Sequence, residues 1–128
     1  MKEILDELAN EAGLTIRDVK DQKGSFDVWV NPEVKVRLDV LEPGMQLSAA
    51  IGNISQEKKE ELFMHVMEAN FLGQGTGGNI LGISKDEKKF ILRFVKPFEI
   101  LKQDLHDDLE SFVNHLLYWR DQTAQASQ

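Results

Sequence analysis

The chain has 128 residues, 41% of them hydrophobic and 29% charged, and its 15 basic against 22 acidic side chains give a formal net charge of −7. This length fits one domain whose core needs no metal or disulfide bond. The acidic balance argues against binding to nucleic acid and to anionic membranes, because both carry negative charge themselves. The absence of cysteine excludes disulfides and thiolate chemistry and agrees with a cytoplasmic location.

The first predicted element is a helix over residues 2–12. Ile4, Leu5 and Leu8 recur at helical spacing, while acidic residues occupy the other side. Gly13 follows at the position where a helix commonly ends in a left-handed residue. The N-terminal segment therefore predicts a short amphipathic helix with a defined end.

A polar stretch and three strands are predicted next. Residues 15–24 are polar and predict a loop. Beyond them, apolar and polar residues alternate in three runs with short connections, which indicates an antiparallel meander. One face of this meander is apolar and the other is mixed, so we expect helices to cover only one side. The three predicted strands cover residues 25–30, 34–40 and 45–51.

The second half of the chain predicts a helix, a Gly-rich connection, a hairpin, a long helix and a polar tail. The full order is α-β-β-β-α-β-β-α, an α+β fold in which an antiparallel sheet packs on helices in two layers. We expect one domain over residues 1–121 and disorder over residues 122–128. The elements of this half cover residues 56–70, 73–78, 79–83 with 88–95, and 99–121.

No motif in the chain predicts catalysis or a cofactor. Three glycines match G-x-G-x-x-G spacing, but a helix precedes them and a strand follows, the reverse of the order in a dinucleotide site. No two histidines share the i+3 or i+4 spacing of a helical metal pair. We therefore predict no enzyme, no cofactor and no metal. The residues concerned are Gly73, Gly75, Gly78, His65, His106 and His115.

The chain carries more large apolar residues than one sheet face can bury. Trp29 lies opposite the apolar face of its predicted strand, Ile91 and Val95 do the same in the hairpin, and Met64 widens the stripe of the second helix. Large apolar side chains on both faces of a small sheet indicate burial against another molecule. The alternative is that the long last helix covers the second face.

One segment joins the end of a helix to a short strand through a Gly-rich connection. Residues 62–72 read Leu-Phe-Met-His-Val-Met-Glu-Ala-Asn-Phe-Leu, and residues 73–83 read Gly-Gln-Gly-Thr-Gly-Gly-Asn-Ile-Leu-Gly-Ile. This pattern, a helix ending in Ala-Asn, a Gly-rich connection and a Leu-Gly-Ile strand, resembles the centre of class I type III secretion chaperones of the CesT/Tir-chaperone type. The last helix, with Leu109, Phe112 and Trp119, is similar too, and the element order matches over residues 1–121.

The resemblance implies a cytoplasmic homodimer that binds the extended, non-globular N-terminal segment of one or more secreted effectors and keeps it export-competent. It names the secretion ATPase as a candidate further partner. In this family the second helix and the strand after the Gly-rich connection contribute to the dimer interface, whereas the first helix and the neighbouring strand surface bind the effector. The dimer interface maps onto Leu62, Phe63, Val66, Met67, Ile80, Leu81 and Ile83. The effector-binding surface maps onto Ile4, Leu5, Leu8 and Trp29.

Three alternatives remain open from the residues alone. A general export chaperone or regulatory scaffold would hold many polypeptides, a small-molecule-binding domain would enclose an apolar pocket within one monomer, and an enzyme would gather polar groups with shifted pKa values. For the chaperone we expect the net charge of −7 to favour basic effector segments. The identity of the effector does not follow from the sequence.

Overall fold

The structure is a computed structural model that describes residues 2–53, 60–61, 64, 79–84 and 89–126. Residues 60, 61 and 64 are helical, within the predicted second helix. The bounded elements are α1 (Lys2–Ala12), β1 (Thr15–Asp18), β2 (Ser25–Asn31), β3 (Val34–Val40), β4 (Met45–Asn53), β5 (Ile80–Ile83), β6 (Lys89–Lys96) and α2 (Lys102–Ala126).

The six strands in the described part of the chain form one sheet in the order β1-β2-β3-β4-β6-β5. The pairs β1–β2, β2–β3, β3–β4 and β5–β6 are antiparallel. Phe26 lies opposite Leu38, and Leu38 lies opposite Leu47, so apolar residues of adjacent strands share one face. This arrangement confirms the predicted α+β class and leaves β1 and β5 as the outer strands.

One compact unit comprises residues 1–48 and 95–111. Its core follows the alternation in β2, β3 and the start of β4, together with the apolar stripes of α1 and the first turns of α2. Val36, Leu38, Met45, Leu47 and Leu105 are fully buried, and Leu5 and Leu8 of α1 are almost so. The apolar residues that the helical and strand periods of the sequence assign to one face are therefore the residues that form this core.

The other compact unit comprises residues 49–94 and 112–128. Leu92 and Leu116 are fully buried there, and Trp119 is nearly so. The Arg120 guanidinium donates two hydrogen bonds to the Ala50 carbonyl oxygen, at 3.2 Å from Nε and 3.0 Å from Nη2. These hydrogen bonds link the last helix to the C-terminal half of β4.

Two predicted boundaries are wrong. Residues 15–18 form β1 rather than part of a loop, since they pair with β2 although three of the four are exposed. The last helix runs over Lys102–Ala126 instead of 99–121, so residues 122–126 are not a disordered tail. Thr123 is buried, and its hydroxyl donates to the Trp119 carbonyl oxygen at 2.8 Å. Pairing with β2 stabilises β1, and the burial of Thr123 accompanies the extension of the last helix. The polar sequence of these segments reveals neither.

The remaining element predictions agree closely with the structure. α1 and β3 have the predicted bounds, β2 and β5 differ by one residue at one end, and β6 is shifted by one residue at both ends. β4 continues two residues further, to Asn53. The Gly-rich segment, most of the second helix and residues 127–128 lie outside the described residues, and the single domain stays a prediction. Among the described helices, none is both long and apolar enough to cross a membrane.

Candidate functional site

The turn after α1 sets the position of the outermost strand. Gly13 has a φ of 70°, a left-handed conformation that glycine adopts without a Cβ penalty. The Leu14 N–H then donates to the Ala9 carbonyl oxygen at 3.1 Å, which caps the end of the helix. The chain leaves this cap directly into β1, and Thr15 comes to lie opposite Trp29.

A cleft of about 460 Å³ opens beside Trp29. The indole is partly exposed and has register partners on both neighbouring strands, Thr15 on β1 and Lys35 on β3. The Lys35 Nζ atom lies 5.5 Å from the centroid of the indole ring, a cation–π contact. We call this cleft the Trp29 groove; it is lined by Gly13, Thr15, Arg17, Trp29, Val30, Asn31 and Pro32.

The same face of the sheet carries a polar cluster further along the strands. The Ser25 hydroxyl donates to an Asp39 carboxylate oxygen at 2.5 Å, and Arg37 Nε lies 3.2 Å from the same oxygen. Arg37 also donates to the Gln22 side-chain oxygen. Arg37 is therefore paired with Asp39. Arg17 of the Trp29 groove has no ion pair among the described residues.

A second cleft, of about 370 Å³, lies between the end of α1 and the start of α2. The Lys102 ammonium group lies 2.8 Å from Glu11 and 3.5 Å from Glu7. The hydrogen bond to Glu11, reinforced by the charges of both carboxylates, raises the pKa of Lys102 above its ordinary value, although desolvation works the other way. His106 Nδ1 lies 3.7 Å from an Asp107 carboxylate oxygen at the same cleft.

Both clefts include charged side chains, unlike the apolar pocket expected of a small-molecule-binding domain. Within the part of the chain that the structure describes, no group of three or more histidine, aspartate and glutamate side chains could hold a metal ion. The side chains that line these clefts offer aromatic contact, ion pairing and hydrogen bonding.

The structure divides the four residues of the predicted effector surface. Leu5 and Leu8 are each only 2% exposed, so they belong to the core of their unit. Ile4 and Trp29 are partly exposed. The effector surface stays a prediction, but Ile4 and Trp29 are the members of the set that a partner could contact without displacing α1.

The predicted dimer interface is described only in its β5 part. Ile80 and Ile83 are 55% and 42% exposed, whereas Leu81 is 4% exposed and faces Leu92 of β6. This interface also stays a prediction. Its four helical members, Leu62, Phe63, Val66 and Met67, lie outside the described residues.

The contribution of β1 to the Trp29 groove does not follow from the sequence pattern. Thr15 and Arg17 lie in the predicted loop, yet both line the groove from β1. The available signal was the alternation around Ile16, a single apolar residue between two polar ones. Such a short polar strand is stabilised by its neighbour rather than by its own burial, which is why periodicity alone does not find it.

The described elements define an α+β protein with an antiparallel sheet, helices and clefts suited to non-covalent binding of a partner. This chain belongs to the Tir chaperone protein (CesT) family, whose model matches residues 3–120. Membership confirms the predicted class, a type III secretion chaperone that binds effectors. A chaperone family implies a non-enzymatic role.

Two solved structures show that the fold recurs with little sequence similarity. A chain from the structure of the HopA1-SchA chaperone-effector complex has a TM-score of 0.71 and 12% identity, with 94% of this chain and 92% of that chain covered. The crystal structure of YbjN, a putative transcription regulator from E. coli, has a TM-score of 0.67 and 9% identity, with 94% and 88% covered. A search of curated proteins finds no match.

Proposed function

We propose that this chain acts as a cytoplasmic homodimer that holds the extended, non-globular N-terminal segment of one or more secreted effectors. The family match over residues 3–120 is the observation that carries the proposal. A protein of similar fold occurs in a solved chaperone–effector complex, which supports the same role. The secretion ATPase is a further proposed partner, to which no residue of this chain is assigned.

The outer strand β1 supports binding of an extended client. An outer strand has backbone N–H and C=O groups without a strand partner on one side, and an extended peptide can add to such an edge. The Trp29 groove opens beside this edge and offers an aromatic surface for a client side chain. Ordering a flexible segment costs several kcal/mol, so the client needs contacts along a long track.

The outer strand β5 supports the homodimer. Ile80 and Ile83 present large, substantially exposed apolar side chains on a strand of four residues. The two residues are three positions apart and point to opposite faces of the sheet, so what they share is this outer strand, which a second protomer would cover from the side. A dimer also doubles the number of client-binding grooves, so a client that reaches both gains affinity through effective concentration.

The buried leucines of α1 have a supporting role in this proposal. Leu5 and Leu8 anchor α1 in its unit, while the partly exposed Ile4 contacts the client. We therefore expect Leu5→Asp to unfold the protein rather than to weaken binding alone. Ile4→Asp should leave the fold intact and weaken client binding.

The direct experiment isolates the full chain from its native cell and identifies by mass spectrometry what remains attached. We expect one or a few secreted polypeptides, with a segment near the N-terminus of each protected from limited proteolysis only while it is bound. Sedimentation equilibrium of the free chain should give twice the monomer mass.

Leu101→Ala is the matched control for surface truncation, because Leu101 is 64% exposed and outside the predicted sites. A monomeric chain that retains no secreted polypeptide would contradict the proposal. Retention of many unrelated polypeptides would favour a general chaperone instead.

A further inference from the structure

We infer that the Trp29 groove selects client segments in which an acidic side chain lies two residues from an aromatic or large aliphatic one. The inference rests on the proposed function, because it specifies which client segment the groove takes. It follows from three features of the groove: an accessible indole, two cations beside it, and an outer strand that fixes the spacing between them.

The indole provides the apolar half of the site. Trp29 lies between Thr15 and Lys35 in the register, and it remains partly exposed in that position. Thr15 is small and Gly13 has no side chain, so the side of the groove toward β1 is open. An aromatic or aliphatic client side chain that reaches over Thr15 can therefore pack on the indole.

The charges around the indole provide the other half. Lys35 lies over the ring, and Arg17 lines the groove from β1. Neither side chain forms an ion pair within the described part of the chain. The facing carboxylate is Asp27, which is the register partner of Arg17.

The other charged pair on this face is already satisfied. Arg37 and Asp39 lie 3.2 Å apart and offset each other. Arg17 is the charged residue among those that line the groove, and Lys35 lies over its indole, so both of these charges are positive. Asp27 is the register partner of Arg37 as well as of Arg17, and neither Asp27 nor Glu33 of the adjoining turn lines the groove. This local balance is opposite in sign to the net charge of −7, from which the sequence alone favoured basic clients. At contact distance the nearby groups outweigh charges more than a Debye length away.

The geometry of β1 sets the spacing of the client motif. Thr15 and Arg17 are two residues apart on one strand and share a face, as do residues i and i+2 of any strand paired beside them. A client strand paired at this edge thus places the side chain of its residue i over Thr15 and the indole. The side chain of its residue i+2 then lies on the same face, beside Arg17. The motif is one apolar and one acidic residue with a single residue between them, in an order that depends on strand direction.

The first test measures the local charge without any client. In a Trp119→Phe background Trp29 is the sole tryptophan, and its fluorescence is quenched with iodide or with caesium at a constant ionic strength of about 0.15 M, where the Debye length is about 8 Å. Each quenching constant is divided by that of free N-acetyltryptophanamide, because iodide is the stronger quencher of any exposed indole. We expect the normalised value to be larger for iodide than for caesium in spite of the negative net charge. The Arg17→Gln/Lys35→Gln variant should reverse this order, whereas the matched Lys20→Gln/Lys23→Gln variant should preserve it. A larger normalised value for caesium in the unsubstituted groove would overturn the inference.

The second test uses three labelled peptides of about 12 residues that differ at one position. Each has a Ser- and Thr-rich background with Phe-Ser-Glu, Phe-Ser-Gln or Phe-Ser-Lys at its centre, and binding to the full chain is followed by fluorescence anisotropy. We expect the Glu peptide to bind about two- to fivefold tighter than the Gln peptide, which lies within the range that exposed ion pairs produce. The Lys peptide should bind most weakly.

The variants then assign this preference to the groove. The Arg17→Gln/Lys35→Gln variant should bind the Glu and Gln peptides equally, and the Lys20→Gln/Lys23→Gln control should retain the preference. Equal binding of all three peptides to the wild-type chain would overturn the inference, as would no binding of the Glu peptide at millimolar concentration. A preference that survives in the Arg17→Gln/Lys35→Gln variant would also overturn it.

Failure of this inference differs from failure of the proposed function. An effector that co-purifies equally with the wild type and with the Arg17→Gln/Lys35→Gln variant preserves the proposed function and removes the acidic preference. A chain that shows the peptide preference but retains no secreted polypeptide would contradict the proposed function. The acidic preference of the groove would still be supported.

Discussion

The two outer strands of the sheet differ in the side chains that they expose. β1 has four residues, of which Thr15, Arg17 and Asp18 are exposed and polar. β5 also has four residues, but its exposed side chains include Ile80 and Ile83. Within the described part of the chain, each of these strands pairs with a neighbouring strand on one side only. Side-chain chemistry, rather than strand length or position in the pairing order, distinguishes the two edges.

This difference indicates two kinds of partner. A polar edge can remain in water while empty, which suits a client that binds and is later released. An apolar edge is costly to leave in water and suits a partner that is present throughout the life of the protein. This difference agrees with the proposal that the client occupies the edge formed by β1 and that a second protomer covers the edge formed by β5.

The largest expected effect is on folding. Leu81→Ala should lower the free energy of unfolding by about 2–5 kcal/mol, because it removes a buried side chain that lies opposite Leu92. Urea denaturation at fixed protein concentration measures this loss. Leu101→Ala, the same change at an exposed position, should alter stability by about 0.5 kcal/mol or less. Similar losses in both variants would mean that Leu81 is not a core residue.

The next effect is on the dimer. Ile80→Asp should weaken association about 100-fold or more, since a carboxylate would be buried without a partner in an apolar interface. Sedimentation equilibrium over a range of concentrations gives the dissociation constant. Leu101→Asp introduces the same charge at an exposed leucine outside the predicted interface and should leave association unchanged. An unaltered dimer in Ile80→Asp would remove β5 from the interface.

A smaller effect is expected for the client. Trp29→Ala should weaken effector binding about tenfold, which is typical of removing an aromatic residue that a partner contacts. Calorimetric titration with the co-purified effector segment measures the change. Thermal unfolding of the free variant is the control, because the indole is partly exposed and contributes little to the core. Unchanged affinity would place the client elsewhere on the chain.

The smallest effect concerns the contact between α1 and α2. The raised pKa of Lys102 means that the folded state holds this proton more tightly than the unfolded state does. The resulting stabilisation is fully present below the unfolded-state pKa and is lost as the pH rises past about 10.5, through the folded-state value.

We therefore expect the wild type to lose slightly more thermal stability than Lys102→Met between about pH 9.5 and pH 11.5. Because Lys102 is exposed, the difference should be small. Lys20→Met, which removes a lysine without an ion pair in the described residues, should follow the wild type. Identical pH profiles for the wild type and Lys102→Met would show that the contacts with Glu7 and Glu11 do not form in solution.

Periodicity predicted the elements that bury their own side chains. β3 has the predicted bounds because Val34, Val36 and Leu38 alternate with polar residues and all three are buried. The bounds of α1 follow from its apolar stripe and from Gly13. Periodicity did not predict β1 or the last turns of α2, which depend on pairing with β2 and on the burial of Thr123.

The candidate site was only partly predictable for a related reason. An amphipathic stripe shows that Leu5 and Leu8 avoid water, but a core and a bound client satisfy this requirement equally well. The structure assigns both residues to the core. Trp29 was predictable as an unusual aromatic residue on the polar face, whereas its position beside Arg17 required the register between β1 and β2.

The sequence by itself determined the α+β class, most of the strands and the resemblance to secretion chaperones, since local periodicity and a family pattern are properties of neighbouring residues. Only the tertiary structure decided which apolar residues remain accessible and which charges surround them. Arg17 and Lys35 are 18 positions apart in the chain, and the pairing of β1 and β3 with β2 brings the first into the Trp29 groove and the second over its indole. Net charge averages over the whole chain, whereas a binding site depends on the few groups that the fold brings within contact distance.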